Sequence, residues 1–287
     1  MSAGRVENVP VSAASAAAIA QSFVDARRRA APLRDYPGEM PKDLAAAYVI
    51  QDAAIGLWGD DIAGWKIGMV PADLRGALGV DRIAGPIFSR QVVRVKGDET
   101  VDLAVLGGGF AAVEAEFILK IGRDQDASQK VWSTTDAAEM IGAVHIGIEL
   151  AGSPFAGIND HGPAVTVSDF GNNSGLVVGA EVKDWRAIDW ARAAAQTSID
   201  AKQVGEGNAA MLPGGPLAAL AFLLTHSAER GRPLRKGQLI SSGAVTGVHQ
   251  IEAGQSAELS FGAFGVLRCR AVSARGEQTP AAASAAL

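Results

Sequence analysis

Apolar and polar positions are most tightly ordered in Ala111-Ala112-Val113-Glu114-Ala115-Glu116-Phe117-Ile118-Leu119, an apolar run broken by two glutamates. Side chains of a β-strand alternate with a period of two. Glu114 and Glu116 therefore point to one face, and Val113, Ala115, Phe117 and Leu119 to the other. The same signature recurs in Val144-His145-Ile146-Gly147-Ile148-Glu149-Leu150, where Val144, Ile146 and Ile148 share a face and Glu149 joins His145 and Gly147 on the opposite one. Strands are predicted over residues 92–95, 110–121, 144–150, 164–167, 175–182, 198–203, 239–242, 257–261 and 265–272. Helical spacing predicts an alanine-rich helix from an N-cap at Ser12 to about Arg29, with Ile19 and Phe23 on one face. A second helix opens at Pro41 and Asp43 and ends near Gly59, and shorter ones are expected over 72–78, 135–143, 185–195 and 216–230, the last closed by Gly231.

Many strands, few helices and irregularly spaced turn signals predict an α+β fold. Its centre is a closed or sandwiched mixed β-core, not a series of βαβ units. The expected organisation is a helical N-terminal region over residues 1–60, a mixed-β domain carrying the chemistry over 61–275, and a disordered tail over 276–287. Residues 1 to about 10 read as untethered, and no internal repeat of fixed period is visible.

Composition narrows the class of function. The chain has 287 residues, 48% hydrophobic and 20% charged, with 34 glycines, as in an ordinary globular enzyme. A net charge of -5 argues against a nucleic-acid groove, and Arg27-Arg28-Arg29 reads as the solvated end of a helix. The single cysteine, Cys269, excludes an intramolecular disulfide and a cysteine metal cage, and a reducing, cytoplasmic setting is expected. No signal-peptide order is present, and the longest apolar stretch, residues 217–224, is far short of the roughly 20 that span a bilayer.

The glutamates are the main candidates for chemistry. Adjacent carboxylates on one face repel, and burying one unpaired is expensive, so the pair needs solvent, a basic partner or a bound cation. With Glu149 as a third acid, the set suits Mg²⁺ or Mn²⁺, leaving positions for substrate and water. The alternative is that each acid faces solvent on a half-covered sheet. Lys66, in Gly64-Trp65-Lys66-Ile67-Gly68, is expected to be partly desolvated, with a lowered pKa suited to proton transfer or carboxylate binding; the alternative is a snorkelling surface lysine. The stretch Ser241-Ser242-Gly243-Ala244-Val245-Thr246-Gly247 can present N–H groups and hydroxyls to an anion, but it lacks the lysine and spacing of a P-loop. His161 lies in a loop, as a solvated histidine or an acid–base group, and Asp169-Phe170-Gly171 has no companion kinase motifs.

Together, the Lys66 segment, the Glu114/Glu116 pair, the Glu149 strand, Gly214-Gly215-Pro216-Leu217 and the 237–247 segment resemble the 2-keto-4-pentenoate hydratase family of the fumarylacetoacetate hydrolase superfamily, over roughly residues 12 to 272. The resemblance implies a fumarylacetoacetate hydrolase-like β-sandwich or roll after a helical N-terminal region, commonly as a homo-oligomer. It implies Glu114, Glu116 and Glu149 as Mg²⁺ or Mn²⁺ ligands and Lys66 as the active-site lysine. It also implies Asp81 as an acid near the active-site entrance, and Ser242 and Thr246 in the segment that contacts the substrate carboxylate. Asp169 is a further substrate-binding candidate. Three departures lie at the substrate rim: no acid and arginine follow Glu149, the family's Ala-Asp-Asn is here Ser168-Asp169-Phe170, and the segment after Asp81 is shorter and lacks a second acid.

The activity implied is hydration of a small 2-hydroxy-2,4-dienoate (2-oxo-4-enoate) to a 4-hydroxy-2-oxo acid, in aromatic meta-cleavage catabolism. The open alternatives are a 2-oxo-3-enedioate decarboxylase using Arg75, Arg82 or Arg90 for the distal carboxylate, an acylpyruvate C–C hydrolase with His161 as base, and a non-catalytic partner subunit. No nucleic-acid or membrane partner is expected.

Overall fold

A computed structural model describes residues 13–276. Ser12, the residues before it, and the predicted tail beyond Gly276 lie outside the described residues. The chain opens with α1 (Ala13–Arg29) and α2 (Leu44–Trp58), followed by β1 (Ile62–Met69), α3 (Arg75–Leu78), β2 (Arg82–Phe88), β3 (Val92–Arg94) and β4 (Thr100–Val105). Next come β5 (Phe110–Ile121), α4 (Thr134–Met140), β6 (Ile141–Ser153), α5 (Pro163–Ser168), β7 (Asn173–Glu181), β8 (Ala194–Ile199) and β9 (Lys202–Asn208). The chain continues through α6 (Gly215–Glu229), β10 (Leu239–Ser241), β11 (His249–Gln250), β12 (Ser256–Ser260) and β13 (Val266–Ser273).

Two mixed sheets form the core. The larger runs β2-β1-β10-β5-β6-β7-β3, with β11 added beside β5; the smaller runs β4-β13-β12-β8-β9. The long central strands β5 and β6 are antiparallel and buried on both faces. Val113, Ala115, Phe117 and Leu119 join Val144, Ile146 and Ile148 in the main apolar cluster, with Leu259, Leu267 and Cys269 of the smaller sheet and Leu220, Leu223 and Leu224 of α6. That face is the one alternation assigns to the core, so Glu114 and Glu116 necessarily face away from it.

Helices α1 and α2 lie over the other side. Ile19, Phe23 and Ile50 share a cluster with Phe88, Phe110, Ala151, Phe155 and Phe170. The Asp43 carboxylate caps α2 by accepting from Ala46 N at 2.8 Å, and Gly59 ends the helix at φ 72°, where only glycine is unstrained. Among the described residues, no helix is long and apolar enough to cross a membrane.

Three expected elements differ. Residues 164–167 form α5, not a strand: Pro163 at its first turn presets a helical φ, and burial of Val165 and Val167 outweighs their β-branching. The expected helix over 185–195 is a single turn, Trp185–Ala187, then an Asp189-capped turn leading into β8. Residues 198–203 are the tip of the β8–β9 hairpin. Asp200 (φ 48°) and Ala201 (φ 65°) are left-handed there, which suits the twist of a two-residue turn.

One packing feature has a pH consequence. His226 on α6 stacks on Phe222 (5.4 Å) and lies tilted against Tyr48 (4.7 Å), and its Nε2 has no hydrogen-bond partner among the described residues. Burial, reinforced by the Arg230 charge, pushes its pKa down to about 4. The unfolded chain protonates near the ordinary value of about 6.5, so the stability this group contributes is complete above that pH and is lost as pH falls toward 4. The loss totals about 3 kcal/mol. Urea unfolding of the wild type and of His226→Phe at pH 7 and pH 4 checks this: the wild type loses more stability on acidification than the variant.

Candidate active site

Five neighbouring strands of the larger sheet together send six polar groups to the face opposite the main core. β1 carries Lys66, β10 carries Ser241, β5 carries Glu114 and Glu116, β6 carries Glu149, and β7 opens with Asn173. Register brings them together: Lys66 pairs with Ser241, and Glu114 lies directly opposite Glu149. Directly opposed like charges destabilise a sheet. Here all three acids are buried, Glu116 and Glu149 completely. The solvent-facing alternative for the acids is thereby excluded.

One ligand oxygen from each of Glu114, Glu116 and Glu149 lies within 4.8 Å of the others. The Lys66 Nζ sits 3.1 Å from Glu149 Oε1, which also accepts from Asn173 Nδ2 at 3.1 Å. Glu116 Oε2 accepts from Ser241 Oγ at 2.6 Å and from Gly243 N at 2.8 Å. Glu116 Oε1, by contrast, is buried with no hydrogen-bond partner among the described residues. An orphaned carboxylate oxygen in an all-oxygen, net-negative cluster fits a hard divalent cation.

The electrostatics agree. Burial, with the Glu149 charge added, pushes the Glu114 pKa up to about 8, and burial with the neighbouring Glu149 and Glu114 charges raises Glu116 well above the carboxylate range. Lys66 behaves opposite to the sequence expectation. Burial lowers its pKa, but the charges of Glu149, Glu114 and Glu116 together outweigh burial and raise it above the usual lysine value. It is a buried ammonium, neither a neutral amine nor a snorkelling surface residue.

Lys66 and Glu114 line a cavity of about 700 Å³. The rest of its wall is apolar, from Met69, Ile83, Phe110, Leu212 and Val248, or carries amides and acids, from Asn159, Asp160, Asn172 and Gln250. Among the described residues, Lys66 is the only cation in the lining. The arginines considered for a distal carboxylate are engaged elsewhere. Arg75 Nε donates to Val70 O, Arg82 pairs with Asp81 and donates to Pro213 O, and Arg90 pairs with Asp60.

Other candidate residues do not reach the cavity wall. Asp81 is partly exposed beside Arg82 and lines a separate surface depression with Phe222. The Ser242 hydroxyl donates to Phe117 O at 2.6 Å, and Thr246 Oγ1 is bonded to Thr197 Oγ1 at 2.7 Å. Both hydroxyls are spent on the scaffold, and Ser241, one residue earlier, supplies the hydroxyl to the cluster. A shift of one position on a strand exchanges the two faces, which the sequence of this segment does not resolve. Asp169 is fully buried and held by Arg27 and Ser153. His161 is exposed, its ring stacked on Phe155 at 5.9 Å. The contributions of Asn172 and Asn173 have no sequence signal, since each depends on strand register or on a loop conformation.

No family model matches the chain. Individual relatives do. The chain is 31% identical over 244 residues to 2-keto-4-pentenoate hydratase of Paraburkholderia xenovorans (strain LB400), covering 83% of this chain and 87% of the relative. It is also 31% identical over 242 residues to the enzyme of the same name from Burkholderia vietnamiensis (strain G4), covering 82% and 87%. The fold matches 4-oxalocrotonate decarboxylase from Pseudomonas putida G7, complexed with magnesium and adipate, at a TM-score of 0.77 and 20% identity, over 92% of this chain and 100% of that one. The α+β architecture is therefore shared with that decarboxylase, and the extent and level of sequence identity show that the chain belongs to the 2-keto-4-pentenoate hydratase family, enzymes of the hydro-lyase class.

Proposed function

We propose that the protein hydrates a small 2-hydroxy-2,4-dienoate lacking a distal carboxylate, giving a 4-hydroxy-2-oxo acid, with Glu114, Glu116 and Glu149 holding Mg²⁺ or Mn²⁺. The observation that carries this reading is the buried glutamate cluster joined to Lys66 in a cavity whose lining, among the described residues, has no other cation. The decarboxylase similar in fold is complexed with magnesium, which supports a divalent ion held by the three glutamates here.

When bound, the divalent cation supplies Lewis acidity toward the substrate's carboxylate and C2 oxygen and offsets the negative charge that keeps Lys66 protonated. Lys66 is the proton carrier. As an ammonium it donates to C5 of the dienol and recovers a proton from the C2 hydroxyl, giving the 2-oxo-3-enoate. Water then adds at C4 and a proton returns to C3, completing the 4-hydroxy-2-oxo product. The apolar wall from Met69, Ile83 and Leu212 accommodates the hydrocarbon end of the substrate and limits bulk water to the cavity mouth.

Substrate length and charge follow from the wall. A distal carboxylate would meet Asp160 and amides, with no arginine to pair it, and an unpaired buried charge is unfavourable by several kcal/mol. Incubation with Mg²⁺ and a panel of 2-hydroxydienoates with and without a distal carboxylate tests this by mass spectrometry. Water addition to the monocarboxylates, with kcat/KM for the dicarboxylates lower by about 10²-fold or more, is the expected pattern. CO₂ release from the dicarboxylates as the fastest reaction would identify a decarboxylase instead.

A further inference from the structure

The three-residue segment Phe170-Gly171-Asn172 is left-handed throughout, at φ 55°, 63° and 64°. A bulky aromatic at positive φ is a backbone outlier that persists only where its surroundings hold it, and such strain gathers at functional sites. Gly171 lies so close to β2 and β1 that a Cβ there would come within 2.9 Å of Gly85 Cα and 3.3 Å of Lys66 Cδ. Asn172 lines the cavity, and the next residue, Asn173, donates to the same Glu149 oxygen that Lys66 meets. The strained segment thus packs against Lys66 through Gly171 and leads directly into Asn173, which bonds Glu149.

What holds the segment comes from the first helix. Arg27 of α1, read from the sequence as solvated, is buried and forms a bidentate pair with Asp169, through Nε at 2.7 Å and Nη2 at 2.9 Å. The same Nη2 donates to Gly152 O at 2.8 Å, near the end of the strand that carries Glu149. The guanidinium also sits over the Phe170 ring, 5.2 Å from its centroid. One side chain therefore fixes the residue before the strained turn, the aromatic that begins it, and the adjoining end of β6.

We propose that Arg27 is a positioning residue for the glutamate–lysine cluster, acting through Asp169 and the left-handed turn on Glu149 and Lys66. This rests on the metal-site reading above. The planar fork of arginine suits the task, because two parallel N–H bonds fix orientation as well as distance, which a lysine ammonium does not. Groups that orient a ligand in this way change metal affinity or activity by about 10-fold to 100-fold when removed.

The test uses the full chain and two variants, comparing thermal midpoint, Mn²⁺ affinity by calorimetry, and kcat and KM. In Arg27→Met with Asp169→Leu both charges go together, so no unpaired buried carboxylate is left to unfold the protein. A folded double variant with Mn²⁺ affinity and kcat each lower by about 10-fold or more supports the proposal. A folded double variant with wild-type affinity and kcat overturns it, even if its midpoint falls, because the pair would then serve the fold alone. Should the double variant fail to fold, Arg27→Lys decides: a lowered kcat with KM little changed supports positioning, and a wild-type kcat overturns it. A wild-type chain that binds Mn²⁺ but hydrates no dienoate refutes the hydratase reading alone, since the affinity comparison still reports on Arg27.

Discussion

Glu116→Gln removes turnover, by about 10³-fold or more, while leaving the chain folded. The loss corresponds to the several kcal/mol of charge stabilisation that a bound metal supplies. The glutamine carbonyl can still accept from Ser241 Oγ and Gly243 N, the two donors that Glu116 Oε2 holds now, so the scaffold bonds survive. What disappears is the anionic oxygen at the orphaned Oε1 position. In metal-free protein the same change should be stabilising. The folded-state pKa of Glu116 is raised, so the folded chain binds more protons than the unfolded one, and its stability falls as pH rises above the usual carboxylate range. Glutamine carries no such penalty. Thermal melts at neutral pH with chelator, beside activity with Mg²⁺, check both halves. Near-normal activity would remove Glu116 from the site, and a lower melting temperature without metal would contradict the electrostatic account.

Lys66→Met separates chemistry from metal binding. Removing a proton carrier at the reacting atoms lowers kcat by about 10²- to 10⁴-fold. Metal affinity moves the other way or holds, because the variant deletes a positive charge 3.1 Å from Glu149 and leaves the three carboxylates in place. The methionine fills most of the lysine's volume beside Gly171, so packing is retained. Parallel measurement of kcat and Mn²⁺ affinity tests the assignment. Equal losses in both would mean that Lys66 serves mainly to hold the cluster together, and an unchanged kcat would exclude it from proton transfer.

The site is arranged around opposed charges. Three carboxylates beside one ammonium leave the cluster short of positive charge, and burial together with the Glu149 charge raises the pKa of Glu114 to about 8. A cation makes up the difference without requiring protonation of the ligands, so binding it releases protons and strengthens as pH rises toward 8. The fold tolerates this conflict because β5 and β6 are anchored on their other face by the main apolar cluster.

Short-range order decides which features the sequence determined by itself. Period-two alternation is a property of one strand, so it placed Glu114 and Glu116 together and assigned Val113, Ala115, Phe117 and Leu119 to the core face. Caps are equally local, and Asp43 and Gly59 mark the ends of α2 as the residue types require. The quoted motifs carried the family assignment, and the relatives of the same family agree with it. Local preference misled where burial overruled it, as at Val165 and Val167, or where left-handed residues closed a hairpin, as at Asp200 and Ala201.

Only the tertiary structure decided what depends on partners distant in the chain. Strand register set Glu114 opposite Glu149, and chose Ser241 over Ser242 for the cluster. The sign of the Lys66 shift depended on summing burial against three carboxylates from two other strands, which no reading of its neighbours in sequence supplies. Arg27 and Asp169, separated by 142 positions, gave no local sign of their pairing, so one read as solvated and the other as a substrate ligand. The physical reason is common to all of these: dihedral preference and periodicity act along the chain, whereas register, burial and the local field are set by groups that meet only after it folds.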